Sequence, residues 1–186
     1  MSDEKAVVQV INVGDTAEFV DISLFEVSNP GVPVDEEQLI PLGISKDPYL
    51  FAVPFKLSLG PHQQKPIQLT ALKLPETEKV YRLAVIPKQK VSISGTRDNV
   101  MLLNLGFNGL VRQLPINQVA TWQHNCSASG LRLVATGTVR VEFSELKLNG
   151  QAVDDFNVYP GTLRLITGSA LSGKAQDKSF NLQCSK

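Results

Sequence analysis

The sequence predicts an all-β protein built from two β-sandwich domains of unequal size. Apolar and polar residues alternate in many short runs, as they do in half-buried strands, and helical spacing is nowhere sustained. Residues that favour turns separate these runs. The chain has 186 residues, of which 42% are hydrophobic and 19% charged, so it holds enough apolar material for a core. Because a common domain has roughly 100–150 residues, this length allows two unequal domains.

The predicted strands follow one another along the whole chain. In the stretch 17–27, for example, Val20, Ile22 and Leu24 alternate with Asp21 and Ser23. We predict strands at 7–13, 17–27, 49–54, 65–72, 80–87, 99–112, 130–136, 138–148, 162–167 and 179–184. Turn segments with Gly, Pro or Asn lie at 28–33, 59–63, 94–99, 148–151 and 158–162. The segment 169–178, SALSGKAQDK, is predicted to be a mobile loop.

A domain boundary is predicted at LPINQ, residues 114–118. The longest strand-like run stops there at a proline, which has no backbone N–H to donate to a sheet. We therefore expect a first domain over residues 1–116 and a second over residues 117–186.

The two cysteines, Cys126 and Cys184, lie near the two ends of the last third of the chain. This placement suits a disulfide that ties the first strand of the small domain to its last, although a pair of free buried thiols would have the same sequence. A bridge across a loop of this length would add about 4 kcal/mol of stability. It would also indicate an oxidising compartment.

The charge balance and the N-terminus exclude several classes of partner and location. Eighteen basic residues balance 18 acidic ones, so nucleic acid and anionic membranes are not expected as partners. The chain has no apolar run of the roughly 18 residues that a membrane-spanning helix needs, and membrane insertion is not expected. The start MSDEKAVVQV lacks the basic and apolar regions of a secretory signal, so the chain is either cytosolic or without its leader.

No motif in the sequence predicts catalysis, a cofactor or a metal. The segment 168–175, GSALSGKA, fits the pattern GxxxxGK of a phosphate-binding loop. However, Ala175 stands where such a loop needs Ser or Thr, and the short remainder of the chain has no room for the helix that follows it. His62 and His124 are isolated from other metal ligands in the sequence. We therefore expect a protein that is not an enzyme.

The run NVMLLNLGFNGLVRQLP, residues 99–115, carries the most informative pattern. Met101, Leu103, Leu105 and Phe107 fall on one face of a strand, as a row of apolar side chains about 6–7 Å apart. The row suits either a strand in the core of a sandwich or an apolar edge offered to a partner. Both interpretations predict the same pattern.

The order of several elements resembles that of a known protein family. The stretch 49–89 holds an extended segment ending in Pro, the turn LGPHQ, an apolar strand, LP with acidic residues, and YRLAVIP. Together with the long strand ending in RQLP, it resembles the first domain of the periplasmic chaperones of chaperone–usher pili. SNPG at 28–31 and KLPETEKVYRL at 73–83 look closest to the alternate class that serves CS1 or colonisation-factor fimbriae. The resemblance covers about residues 7–115, and the second domain shares only its β pattern and cysteine pair.

The resemblance implies two Ig-like β-sandwich domains in a boomerang arrangement, acting in the periplasm. Such chaperones bind pilus subunits that lack their last strand, lend them a strand by donor-strand complementation, and deliver them to an outer-membrane usher. The inserted side chains would be Met101, Leu103, Leu105 and Phe107. Self-association through the same strand stays open.

The resemblance also implies basic residues that hold the C-terminal carboxylate of the subunit. Arg112 is the first candidate and Arg82 the second, because a guanidinium can bind a carboxylate through two parallel hydrogen bonds. An alignment with the P-pilus chaperones would instead put the basic residue of the family at Leu110. The first edge strand that normally precedes VVQVINV, with its own basic residue, is expected to be missing.

Two alternatives remain at this point. A structural pilus subunit or adhesin is disfavoured because the run 99–115 lies inside the chain. A carbohydrate-binding β-sandwich would need dispersed aromatic residues to converge on one exposed patch; these are Trp122, Tyr49, Tyr81 and Tyr159.

Overall fold

The computed structural model of the chain describes residues 5–88 and 106–184. Nearly all regular structure is β-strand, as predicted, with two short 3-10 helices at Val34–Glu36 and Leu42–Ile44. The strands are β1 Lys5–Ile11, β2 Glu18–Val27, β3 Leu39–Pro41, β4 Leu50–Val53, β5 Lys56–Leu59, β6 Gln64–Ala71, β7 Lys79–Pro87, β8 Phe107–Gln113, β9 Trp122–Ser127, β10 Gly130–Ala135, β11 Val141–Leu148, β12 Gln151–Ala152, β13 Phe156–Val158, β14 Leu163–Ile166, β15 Ala170–Ala175 and β16 Lys178–Gln183. Within the described ranges, no helix has the length and apolar character needed to cross a membrane.

The described residues form two compact units. Unit 1 contains residues 5–26, 39–73, 81–88 and 106–111. Unit 2 contains residues 27–38, 74–80 and 112–184. Two stretches from the first half of the chain thus belong to the second unit.

Unit 1 has two β-sheets. One has the strand order β1-β6-β4, and the other has the order β3-β2-β7-β8 with β5 also paired to β2. The alternation predicted for 17–27 is confirmed, because Val20, Ile22 and Leu24 are buried while Asp21 and Ser23 lie on the other face. These side chains meet residues of the other sheet in one core, which also includes Ile67, Leu69, Tyr81 and Leu83.

The segment VVQVINV, which was expected to follow a missing edge strand, itself contributes to an edge strand. Its first five residues lie in β1, which pairs with β6 from Lys5↔Thr70 to Ile11↔Gln64. In the described part of the chain, β1 is the end strand of its sheet. Pro66 of β6 lies opposite Gln9 of β1 and beyond the residues that pair with β4, so its missing N–H removes no hydrogen bond to β4.

Unit 2 also has two sheets, with the orders β14-β10-β9 and β12-β11-β15-β16, and β13 pairs with β11. The core between them is built around Phe143, which is 0% exposed. The ring of Phe143 lies 5.1 Å from that of Trp122, 5.3 Å from Phe156 and 5.6 Å from Phe180. These contacts pack the partly buried Trp122 against the core of the unit.

The predicted disulfide between Cys126 and Cys184 is present in unit 2. Cys126 lies in β9 and Cys184 directly follows β16, so the bridge joins one sheet of the unit to the other. The two cysteines are 58 positions apart in the sequence. The alternative of two free thiols is therefore wrong.

The prediction of a mobile loop at 169–178 is wrong. Residues Ala170–Ala175 form β15, a strand with neighbours on both sides, and β16 begins at Lys178. Leu171 of β15 is fully buried in the core of unit 2. The GxxxxGK match also falls on this strand, where no helix follows to bind a phosphate.

Candidate functional site

An open groove in unit 1 lies between β1 and β8, the end strands of the two sheets. Its volume is about 840 Å³. Most of its lining is apolar, and Glu18, Asn12 and Gln9 are the polar contributors. The apolar lining residues are Val8, Val10, Ile11, Val13, Val20, Leu59, Leu83, Val85, Pro87, Phe107, Leu110 and Val111.

Both borders of this groove offer backbone groups for pairing. Among the described residues, β1 pairs only with β6 and β8 only with β7. An edge strand presents N–H and C=O groups along its outer side, ready to pair with another strand. The groove therefore combines an apolar floor with two strand edges, a combination suited to binding an extended apolar segment.

Three alternate residues of β8 line the groove, and Leu110, from the other face of the strand, also borders it. Val111 packs against the core of unit 1 and lines the groove. Gly109 and Phe107, two and four positions earlier, fall on the same face of the strand and line the groove as well. Phe107 is 76% exposed, so a large aromatic side chain stands open to solvent at the groove.

Phe107 is the one predicted donor residue that the structure describes. Its position in an edge strand, beside an open groove and largely exposed, differs from that of a sealed core residue. Met101, Leu103 and Leu105 lie outside the described residues.

Arg112, the first candidate for binding a carboxylate, already contacts a carboxylate of its own chain. Its Nε donates a hydrogen bond to Oε1 of Glu78, whose side chain is fully buried, while 31% of the Arg112 side chain is exposed. The other oxygen of Glu78, Oε2, accepts a hydrogen bond of 2.8 Å from the backbone N–H of Arg140. The hydrogen bond to Glu78 raises the pKa of Arg112 above its ordinary value, which keeps the guanidinium charged.

Arg82, the second candidate, lies in a different strand from Arg112. It sits in β7 of unit 1, half-buried and paired with Phe25 across the sheet. Its neighbours Tyr81 and Leu83 point to the core, so Arg82 points to the outer face of the sheet. The two arginines belong to different units.

Asn12 is a groove residue that sequence reasoning missed. It is only 8% exposed, and its Nδ2 donates hydrogen bonds to the carbonyl oxygens of Thr16 at 2.7 Å and Gly60 at 3.0 Å. Its Oδ1 accepts a hydrogen bond of 3.0 Å from the N–H of Gly14. These bonds fix the chain just after β1. The only sequence signal was the nearby turn residue Gly14.

The remaining candidate residues are the two histidines, which lie in different places in the described structure. No cluster of three or more His, Cys, Asp or Glu side chains occurs in residues 5–88 and 106–184. His62 Nε2 lies 3.0 Å from Oδ1 of Asp15 on the surface, and the ring centroid of His124 lies 6.0 Å from that of Trp122. The groove itself has a mostly apolar lining, and neither histidine contributes to it.

Neither a protein-family profile nor a curated protein matches the chain. Several solved structures do match it. The class 5 fimbriae chaperone CfaA has a TM-score of 0.75 and 21% identity, over 100% of this chain and 94% of its own. A chaperone–tip adhesin complex of CFA/I fimbriae has a TM-score of 0.75 and 20% identity, over 98% of this chain and 92% of its own.

A more distant match is the CsuC–CsuE chaperone–tip subunit complex from archaic Csu pili of Acinetobacter baumannii. It has a TM-score of 0.59 and 16% identity, over 98% of this chain and 91% of its own. The chain thus has the fold of the chaperones of the chaperone–usher pathway, with two Ig-like β-sandwich domains, and the class 5 chaperone CfaA is among the structures that share it.

Proposed function

We propose that this protein is a non-enzymatic periplasmic chaperone that binds pilus subunits by donor-strand complementation and delivers them to an outer-membrane usher. The observation that carries the proposal is the apolar groove beside the edge strand β8, with Phe107 exposed in it. Two of the structures with this fold are complexes of a chaperone with a tip subunit, which supports the same class of partner.

The proposed complex follows from edge-strand chemistry. A subunit strand that pairs with β8 satisfies the outward N–H and C=O groups of that edge. Burying Phe107, together with Met101, Leu103 and Leu105, contributes about 1.5–3 kcal/mol for each side chain. The loss of translational and rotational freedom offsets part of this gain. The same surface allows a second copy of this chain to compete with the subunit.

Phe107→Asp is expected to weaken binding of a pilus subunit by about tenfold to 100-fold, because it removes the apolar contact and places a charge against an apolar partner. The measurement is capture of a co-expressed pilus subunit, followed by titration of the purified partners. Ile44→Asp is the matched control, since Ile44 and Phe107 are both 76% exposed and Ile44 lies outside the groove. Equal capture by Phe107→Asp and the wild-type protein would refute the donor role.

Arg112 is proposed to hold the C-terminal carboxylate of the subunit. Its guanidinium has four further N–H donors besides the Nε–H that contacts Glu78. A charge-assisted pair of this kind contributes about 1.5–3 kcal/mol, so Arg112→Ala is expected to weaken binding by about tenfold to 100-fold.

A double-mutant cycle separates this role from the internal contact of Arg112 with Glu78. The second change is a C-terminal amide on the subunit, which removes the negative charge. We expect the amide to weaken binding to the wild-type protein but not to Arg112→Ala. An equal effect of the amide on both proteins excludes Arg112 as the anchor, and Arg82→Ala is then tested in the same cycle.

The carbohydrate-binding alternative loses its basis in the structure. Trp122 packs edge-on against Phe143 and Phe180, while Tyr81 and Tyr159 are 0% and 4% exposed. The Nζ atom of Lys73 lies 3.9 Å from the ring centroid of Tyr49. These four aromatic residues therefore do not converge on an exposed patch.

A further inference from the structure

Gly109 occupies a position where its own chain does not need a glycine. It lies inside β8, and a glycine weakens a strand interior because it adds backbone freedom and has no side chain to pack. Its φ is not positive. Among the described residues, a β-carbon built at Gly109 would meet one atom within 4 Å, the carbonyl oxygen of Leu83 at 3.9 Å, which is an ordinary van der Waals contact.

The missing side chain leaves space in the groove rather than inside the core. Gly109 falls between Phe107 and Val111 on the face of β8 that lines the groove. Gly106, which directly precedes this strand, has less space, because a β-carbon there would lie 3.4 Å from Cγ1 of Ile86. Within residues 5–88 and 106–184, no side-chain atom of a non-adjacent residue lies within 4 Å of a β-carbon at Gly109, so a molecule that enters the groove can occupy this space.

We propose that Gly109 is a specificity-determining position that admits a large apolar side chain of the bound pilus subunit. The inference rests on the proposed function. A glycine in a strand often marks a place where a ligand approaches closely. The neighbouring walls of the groove include Leu83, Val85 and Val111, so the complementary side chain is apolar. The cores of protein interfaces pack as densely as protein interiors, so a side chain of the subunit is expected to fill the space beside Gly109.

The test uses the full chain with Gly109→Ala, Gly109→Val and Gly109→Leu, and the co-expressed subunit as the probe. We expect subunit affinity to fall with the volume added, reaching about fivefold to 100-fold for Val and Leu. The melting temperature of Gly109→Ala should stay equal to that of the wild-type protein or rise, since alanine fits the strand. Gly43→Ala and Gly43→Leu are matched controls, because a β-carbon at Gly43 meets nothing within 4 Å and this residue lies outside the groove.

The side chain that fills the space is identified by compensation. Each large apolar residue of the subunit is shortened to alanine in turn, and one of these variants should restore binding to Gly109→Leu. Rescue by none of them overturns the inference, as does wild-type or tighter binding by Gly109→Leu. If either of these results is found while Phe107→Asp still weakens subunit capture, the inference about Gly109 fails and the proposed function stands. A wild-type protein that captures no subunit overturns the proposed function and this inference with it.

Discussion

Phe143→Ala is expected to lower the free energy of unfolding by about 3–5 kcal/mol, the range for removing a buried phenylalanine side chain. Phe143 is 0% exposed, and its ring contacts those of Trp122, Phe156 and Phe180. Truncation removes all three ring contacts and leaves a cavity that the two surrounding sheets cannot fill without moving. Urea denaturation followed by tryptophan fluorescence measures this loss, since Trp122 is the single tryptophan of the chain.

The control for this variant is Phe55→Ala. Phe55 is 67% exposed, and a surface truncation away from special features changes stability by only about 0.5 kcal/mol. A fall of less than about 1 kcal/mol in the free energy of unfolding of Phe143→Ala would contradict the central place of this ring in unit 2.

Removal of the disulfide has the second large effect. In the double variant Cys126→Ser, Cys184→Ser, the unfolded chain regains the freedom of a loop with a sequence separation of 58 residues. Chain-entropy arithmetic for this loop gives a loss of about 4 kcal/mol. The loss should appear as a lower midpoint of chemical denaturation, and titration of the denatured wild-type protein should detect no free thiol.

Dithiothreitol supplies the control for the disulfide. Cys126 is exposed in β9, so the bridge is accessible to the reductant. The reductant should lower the stability of the wild-type protein to that of the double variant and leave the double variant unchanged. A denaturation midpoint that is the same with and without the bridge would contradict the prediction.

Strands whose inward residues are large and apolar were predictable from the sequence. For β2, the alternation and the buried face agree, and β10 and β11 likewise carry their own apolar pattern. Six strands were not predicted, namely β3, β5, β9, β12, β13 and β15, and two of the longer ones show the physical reasons. The side chains of β9, WQHNCS, are mostly exposed, so no alternation marks them. In β15, ALSGKA, the side chains are mostly small or polar, and hydrogen bonds to two neighbouring strands maintain the extended backbone.

The candidate site also contains residues that the sequence pattern predicts and residues that it does not. The apolar row containing Phe107 was visible because its residues alternate within one strand. Arg112 was named for its charge, but its partner Glu78 is 34 positions away, and no local pattern relates the two residues. Asn12 and Gly109 were also missed, because their roles depend on atoms that only folding brings near them.

The attachment of β1 has a consequence for local unfolding. In the described chain, one ladder with β6 holds its seven residues, whereas β6 is also held by β4. Detaching β1 therefore breaks a single ladder and leaves the rest of the sheet in place, which makes it a low-energy opening of unit 1. The side chain of Asn12 fixes the chain directly after β1. Amide hydrogen exchange should accordingly run faster in β1 than in β6, and the groove can widen without global unfolding.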